Sequence, residues 1–258
     1  MKIIDGFTFY NELVMLKYRL TLMYPVVDYF ILVEATTTHV GNKKELYYQN
    51  NKEQFAEFQD KIIHIVVDDM PNTTNAWDRE KYQRKCISRG FSNIEMNDDD
   101  ILIISDLDEI PNPQTILKLK DVGVPTLSSL KQHLYYYNLN TYLNDSWLHP
   151  VVLTYKQLIS EYNGDTDYVR GKRNAIIENG GWHLSYFGNA NFISNKLKNF
   201  SHTEFSSDEF TNTNTISSKV QRGECVFDNT KFSVIPLNQN PNLPPNYELL
   251  NKLLSIND

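Results

Sequence analysis

The chain has 258 residues, enough for one α/β domain or two small ones, and with a hydrophobic share of 41% it can bury a substantial core. Its formal charge of -7, from 25 Lys and Arg against 32 Asp and Glu, argues against a nucleic-acid-binding surface. Cys86 and Cys225 stand far apart with no clustered Cys/His spacing, so neither a zinc site nor a disulfide framework is indicated and a reducing compartment fits. No run approaches the ~20 apolar residues of a membrane span, and MKIIDGFTFYNEL lacks the apolar core of a signal peptide. The expectation is a cytoplasmic protein with no membrane span, in which the Asn-x-Ser/Thr triplets at Asn72, Asn144 and Asn199 are incidental.

Residues 2–8 read as a short strand. Asn11 can cap a helix that carries Leu13, Leu16, Leu20 and Met23 on one side and stops at Pro25. The run YFILVEA, residues 29–35, is continuously apolar, the mark of a strand covered on both faces, and IIHIVV, residues 62–67, is another. Between them residues 52–60 suggest an exposed polar helix. A further helix over 78–89 has Gly90 placed as a C-cap and leads to the strand that begins at Ile101. Alternating strands and helices mean an α/β sheet with crossover connections, so residues 1–111 predict a Rossmann-like nucleotide-binding half. Ligands in such sheets sit beyond the carboxyl ends of the strands, where Glu34, Asp68, Asp69, Asp106 and Asp108 fall. The remainder, residues 112–235, is Tyr-rich and β-branched over 126–138 and 151–155, which predicts antiparallel strands. No repeat or linker divides the chain, so one composite domain is expected, with residues 236–258, Pro/Asn-rich at their start, as an irregular tail.

The segment ILIISDLDEIP, residues 101–111, delivers two carboxylates together at a strand end. Alternation turns Leu107 inward and gives Asp106 and Asp108 the other face, which suits a divalent cation and the phosphates it carries. The competing reading is an ordinary acidic strand end in solvent. In WDREKYQRK, Arg79 and Gln83 share one helix face while Glu80 and Arg84 form an i,i+4 pair. A solvated, salt-bridged helix explains these residues equally, whereas an arginine near the aspartates would bind a diphosphate bidentately. In ENGGWHLSYFG, residues 178–188, Gly180 and Gly181 permit either a close backbone approach or a mobile loop. There Trp182 and Tyr186 offer flat faces for sugars or serve as core aromatics, and His183 can ligate a metal or bind an oxyanion. His202 and Glu204 form a second polar pair in NFSHTE, residues 199–204.

The ordered set NELVMLKYRL, YPVVDYFILVEAT, WDREKYQR, ILIISDLDEIP, GGWHLSYFG and NFSHTEF resembles glycosyltransferase family 17 from near residue 5 to about residue 230. The resemblance implies a GT-A-like α/β fold with a mixed central sheet and antiparallel strands on the acceptor side. It also implies a UDP-sugar donor, UDP-GlcNAc above all, a glycan acceptor and inversion at the anomeric carbon. Asp106 and Asp108 match the family's DxD element, which holds Mn2+ or Mg2+ against the donor diphosphate, and His183 becomes a third ligand or diphosphate contact. With His202 added, the expected metal set is Asp106, Asp108, His183 and His202. Arg79 and Arg84 are expected at the diphosphate, Glu34 and Thr36 at the nucleoside, and Glu204 as general base, with Glu178 and Asp208 as substitutes. A soluble microbial or viral member acting on a glycan other than the animal member's acceptor is expected. The rivals are a haloacid-dehalogenase-like phosphatase, with Asp106 as nucleophile and Asp108 as acid/base, and a carbohydrate-binding protein without turnover.

Overall fold

A computed structural model describes residues 1–172, 175–228 and 230–257. The first half alternates as the apolar pattern requires: β1 (Ile3–Phe9), α1 (Leu13–Met23), β2 (Tyr29–Ala35), the single turn α2 (Tyr47–Asn50), β3 (Ile62–Val67), α3 (Ala76–Lys85) and β4 (Ile101–Asp106). A short β5 (Glu109–Pro111) follows, then α4 (Pro113–Val122), β6 (Ser128–Tyr136), β7 (Thr141–Trp147), β8 (Val151–Thr154), α5 (Tyr155–Tyr162) and α6 (Thr166–Arg170). The rest comprises β9 (Ala175–Ser185), α7 (Ala190–Asn199), α8 (Asp208–Thr211), α9 (Thr213–Arg222), β10 (Ser233–Val234) and α10 (Tyr247–Asn257).

The sheet runs β3-β2-β1-β4-β8-β6-β7-β10, with β9 against the other edge of β6 and β5 paired to β9. Strands β3, β2, β1 and β4 are parallel, β8 joins β4 antiparallel, and β6 takes β7 and β8 antiparallel but β9 parallel. This is the α/β mixed sheet that the sequence predicts. β1, β2 and β4 are buried on both faces by two apolar layers. One layer gathers α1 and α10; the other gathers α5, α6 and the 3-10 segment Cys86–Asn93. A smaller cluster packs the end of β9 against α7 and α9.

Several local expectations change. Asn11 does not cap α1; Glu12 holds the N-cap position without a side-chain cap bond. The predicted helix over 52–60 is a 3-10 segment, Lys52–Phe58, whose Phe55 and Phe58 are buried rather than exposed. α3 begins earlier and ends at Lys85, passing into the Cys86–Asn93 3-10 turn that contains Gly90. Gly90 is therefore no C-cap: a Cβ there would lie 2.6 Å from Ile31 Cγ2, so glycine lets this segment lie directly on β2. The strand from Ile101 does not run on to Pro111 but turns at Leu107–Asp108, and Glu109–Pro111 joins β9 instead. Residues 236–258 are not irregular throughout, because α10 lies against α1 with Leu250 fully buried. Among the described residues no helix is long and apolar enough to cross a membrane.

Candidate active site

The Asp106-Leu107-Asp108-Glu109 turn is built from beneath by one residue. Arg19, fully buried on α1, donates Nη1 to the carbonyls of Asp106, Leu107 and Glu109 at 2.8, 3.0 and 3.1 Å. Its Nη2 reaches Ser105 Oγ and Asp5 Oδ1, both at 2.6 Å, and its Nε reaches Asp5 Oδ2 at 2.9 Å, so the charge is paired while the fork shapes the turn. From behind, buried Glu109 accepts the Asp106 backbone N–H at 2.7 Å, the Trp147 indole N–H, and both ends of Arg170 at 2.6 and 2.7 Å.

The two aspartates project from this turn into a network of cations. Asp106 Oδ2 accepts from Arg170 at 2.5 Å, and its Oδ1 lies 3.3 Å from Arg84 Nη2 and 3.4 Å from Thr8 Oγ1. Burial alone would raise its pKa, but Arg170 and Arg84 hold it well below the usual carboxylate range. Asp108 Oδ2 accepts from Lys196 on α7 at 2.9 Å, and its Oδ1 lies 3.5 Å from His183 Nε2. Against the same burial, Lys196 and His183 depress it too. Arg84 also pairs with Glu80 at 2.7 Å and Asp167 at 2.6 Å, and Lys196 with Glu12 at 3.1 Å. These groups line a cavity of about 830 Å³ at the carboxyl ends of β1 and β4, closed by the 37–39 loop, the start of α3, α6, the end of β9 and α7.

Asp106, Asp108, Arg84 and His183 are brought together as the sequence predicts. His202 lines the same cavity, but its ring packs edge-to-face on Trp77 at 4.5 Å and its Nδ1 pairs with Glu204 at 2.8 Å, so it does not join the aspartates. The expected metal set is corrected accordingly: among the described residues no three His, Cys, Asp or Glu side chains group to hold an ion. Asp108 and His183 face one another with ligand-forming atoms at the cavity wall. Such a pair suits a cation that keeps several of its waters, rather than one held in a dedicated protein cage.

Glu34, expected at the nucleoside, does not line the cavity. Its fully buried carboxylate accepts the Tyr48 and Gln49 backbone N–H groups and lies 3.1 Å from His64 Nε2, which fixes α2 to the sheet. Thr36 ties β2 to β3 through Val67 O, whereas its neighbours Thr37 and Thr38 reach the cavity. Arg79 donates to the carbonyls of His39 and Thr73 and so braces the loop rather than facing a diphosphate. Glu204, exposed and drawn to lower pKa by its bond to His202, lies off the cavity wall, as do Glu178 and Asp208. Trp182 is a core aromatic that donates its indole N–H to Asn242 O at 2.7 Å, while Tyr186 lines the cavity. The phosphatase alternative requires a free nucleophile at Asp106, yet both its oxygens are held by arginines. Arg19, Glu109, Arg170 and Lys196 went unread. Of these only Glu109 carried a local signal, as the acid that directly follows the turn.

A family model described as glycosyltransferase family 17 matches residues 1–234. β-1,4-mannosyl-glycoprotein 4-β-N-acetylglucosaminyltransferase from Rattus norvegicus is 26% identical over 125 residues, 46% of this chain and 23% of the relative. The Homo sapiens counterpart is likewise 26% identical over 125 residues, covering 46% of this chain and 24% of its own. The chain thus matches about a quarter of the length of these curated relatives. Among solved structures, the mannosyltransferase PcManGT from Pyrobaculum calidifontis, in complex with GDP-Man and Mn2+, is 9% identical with a TM-score of 0.46, over 98% of this chain and 69% of that one. The galactosyltransferase LgtC, in complex with donor and acceptor sugar analogues, is 9% identical with a TM-score of 0.37, over 98% and 95%.

Proposed function

Because this chain belongs to glycosyltransferase family 17, we propose that it transfers a sugar, GlcNAc above all, from a UDP-sugar to a glycan hydroxyl in one cation-dependent, inverting displacement. The observation that carries this reading is the Asp106-Leu107-Asp108 turn, locked by Arg19 and Glu109 and opening with His183 into the cavity. Asp108 and His183 would hold the divalent cation, which supplies Lewis-acid neutralisation of charge on the departing diphosphate. Asp106, fixed between Arg84 and Arg170, keeps those two guanidiniums at the cavity wall, where they add positive potential for an anionic leaving group. The 37–39 loop and Phe9 border the nucleoside end of the cavity in place of Glu34 and Thr36. The acceptor hydroxyl attacks the anomeric carbon from the face opposite the leaving UDP, and its proton passes to a carboxylate on the wall. Glu12, Glu80 and Asp167 line that wall, and Glu204 does not.

Isothermal titration with UDP-GlcNAc, UDP-glucose and UDP-galactose, each with Mn2+ and then with EDTA, tests the reading. Binding that needs Mn2+, names one donor and disappears in Asp108→Asn is the expected result. A folded wild-type protein that binds none of the three would overturn it.

A further inference from the structure

Among the described residues, Lys196 is the cation at this site that bridges the aspartate turn to the β1–α1 junction. Its ammonium sits 2.9 Å from Asp108 Oδ2 and 3.1 Å from Glu12 Oε1, with the Tyr186 ring 5.4 Å beneath it. Arg84 and Arg170 differ: each is forked across two or more carboxylates in a fixed plane. Lys196 is a point charge on a flexible four-carbon stem, held between two single carboxylate oxygens on separate elements. It therefore occupies one oxygen of the carboxylate whose other oxygen faces His183. A divalent ion at Asp108 and a lysine ammonium on the same carboxylate would repel strongly at this range.

Resting on the donor reading above, the geometry points to Lys196 as a resident cation that keeps Asp108 neutralised until the nucleotide-sugar brings its divalent ion. Lys196 then withdraws towards Glu12 and donates to the diphosphate, so that a positive charge already in place meets the leaving group. Glu12 is the resting partner that makes the withdrawal possible. Divalent cation and nucleotide consequently bind together, and the cation alone binds poorly.

Mn2+ binding followed by electron paramagnetic resonance, with and without UDP, tests this on the wild type, Lys196→Gln and Glu12→Gln, alongside donor hydrolysis. In Lys196→Gln, Mn2+ alone should bind about tenfold more tightly because its competitor is gone, while kcat falls by about 10²-fold through loss of a donor to the leaving group. In Glu12→Gln, Lys196 rests on Asp108 alone and Mn2+ alone should bind several-fold more weakly. A general loosening of the fold moves both variants the same way, so the opposite signs are diagnostic. Mn2+ affinity that is unchanged or weaker in Lys196→Gln, or an unchanged kcat, overturns the proposal for Lys196 while Mn2+·UDP binding upholds the donor site. A wild type that binds no Mn2+ even with UDP overturns the donor reading and this proposal together.

Discussion

Arg19 shows how one buried charge can shape a turn that carries chemistry elsewhere. Its guanidinium meets Asp5, Ser105 and three carbonyls of the aspartate turn, and it lies over the Phe7 ring at 4.4 Å. Removing it leaves Asp5 buried without a counter-charge and the carbonyls without donors. Arg19→Met should therefore lower stability by about 3–5 kcal/mol, the cost of breaking a buried pair, as read by urea denaturation, and UDP-sugar binding should weaken in whatever protein folds. Near-wild-type unfolding would show that water replaces the fork. His39 supplies a pH prediction. Gln83 donates to the carbonyls of Phe9 and Val33, so its oxygen faces His39 Nε2, which must carry the hydrogen, and Nδ1 accepts from Ser201 Oγ. Burial lowers the His39 pKa, with Glu80 opposing. The unfolded chain then takes up the proton first, so stability is full above about pH 6.5 and falls as pH drops from there towards the lowered native value. His39→Gln should flatten that decline between pH 7.5 and 5.5, with His133, also lowered by burial, keeping part of it; an unchanged slope would place the sensitivity elsewhere. Asp106, Asp108, Arg84 and His183 were legible because acids at a strand end and a basic helix face are local patterns. Arg19 and Lys196 were not, because they meet the turn across 87 and 88 residues of chain.

At the scale of elements, what could be read was what has a period. β1, β2, β3, β4, β6 and β8 lie where apolar runs predicted them, and helices fell between β1 and β2 and between β3 and β4, whereas the predicted 52–60 helix is a 3-10 segment. β9 was hidden because its Asn-Gly-Gly reads as a turn, yet it forms a bulge inside a strand: β6 advances from Leu130 to Gln132 while its partner advances from Ile177 to Gly181. The bulge sets the register that places His183 opposite Glu109. Of the two alternatives for this glycine pair, close approach and mobile loop, the close approach holds. Gly181 has φ +136 and an added Cβ would lie 2.0 Å from Ile110 O. Gly181→Ala should thus cost about 3 kcal/mol or more, combining a disfavoured backbone region with overpacking, and should displace His183 from Asp108. Thermal unfolding together with Mn2+·UDP titration checks both, and an alanine variant of native stability that still binds would mean the bulge can relax without moving the site.

At the scale of the whole molecule, the last two dozen residues hold the first helix and the central sheet together. NQNPNLPPN reads as irregular, and the structure agrees only until Tyr247, where a helix with Leu250, Leu253 and Leu254 at spacings of three and four turns its apolar side to α1. That periodicity was present in the sequence but overshadowed by the prolines before it. The irregular stretch also matters, because it supplies backbone acceptors to aromatic groups of three separate elements. Tyr18 Oη donates to Pro245 O at 2.7 Å, Trp182 Nε1 to Asn242 O at 2.7 Å, and Tyr135 Oη to Asn242 O at 3.1 Å. Trp182 is the residue before His183, so the tail reaches within one residue of the site. The family match ends at residue 234, before any of these contacts. Cutting the chain after Val234 would uncover Leu250's packing site and leave three donors without partners, each worth about 1–3 kcal/mol where the site stays dry. Against a total stability of about 5–15 kcal/mol, the shortened protein should unfold roughly 10 °C or more below the full chain, or fail to accumulate in soluble form. Differential scanning calorimetry of the two chains decides it: equal midpoints would make residues 235–258 dispensable to the fold and leave α1 and the Arg19 turn to stand on β1 and β4 alone.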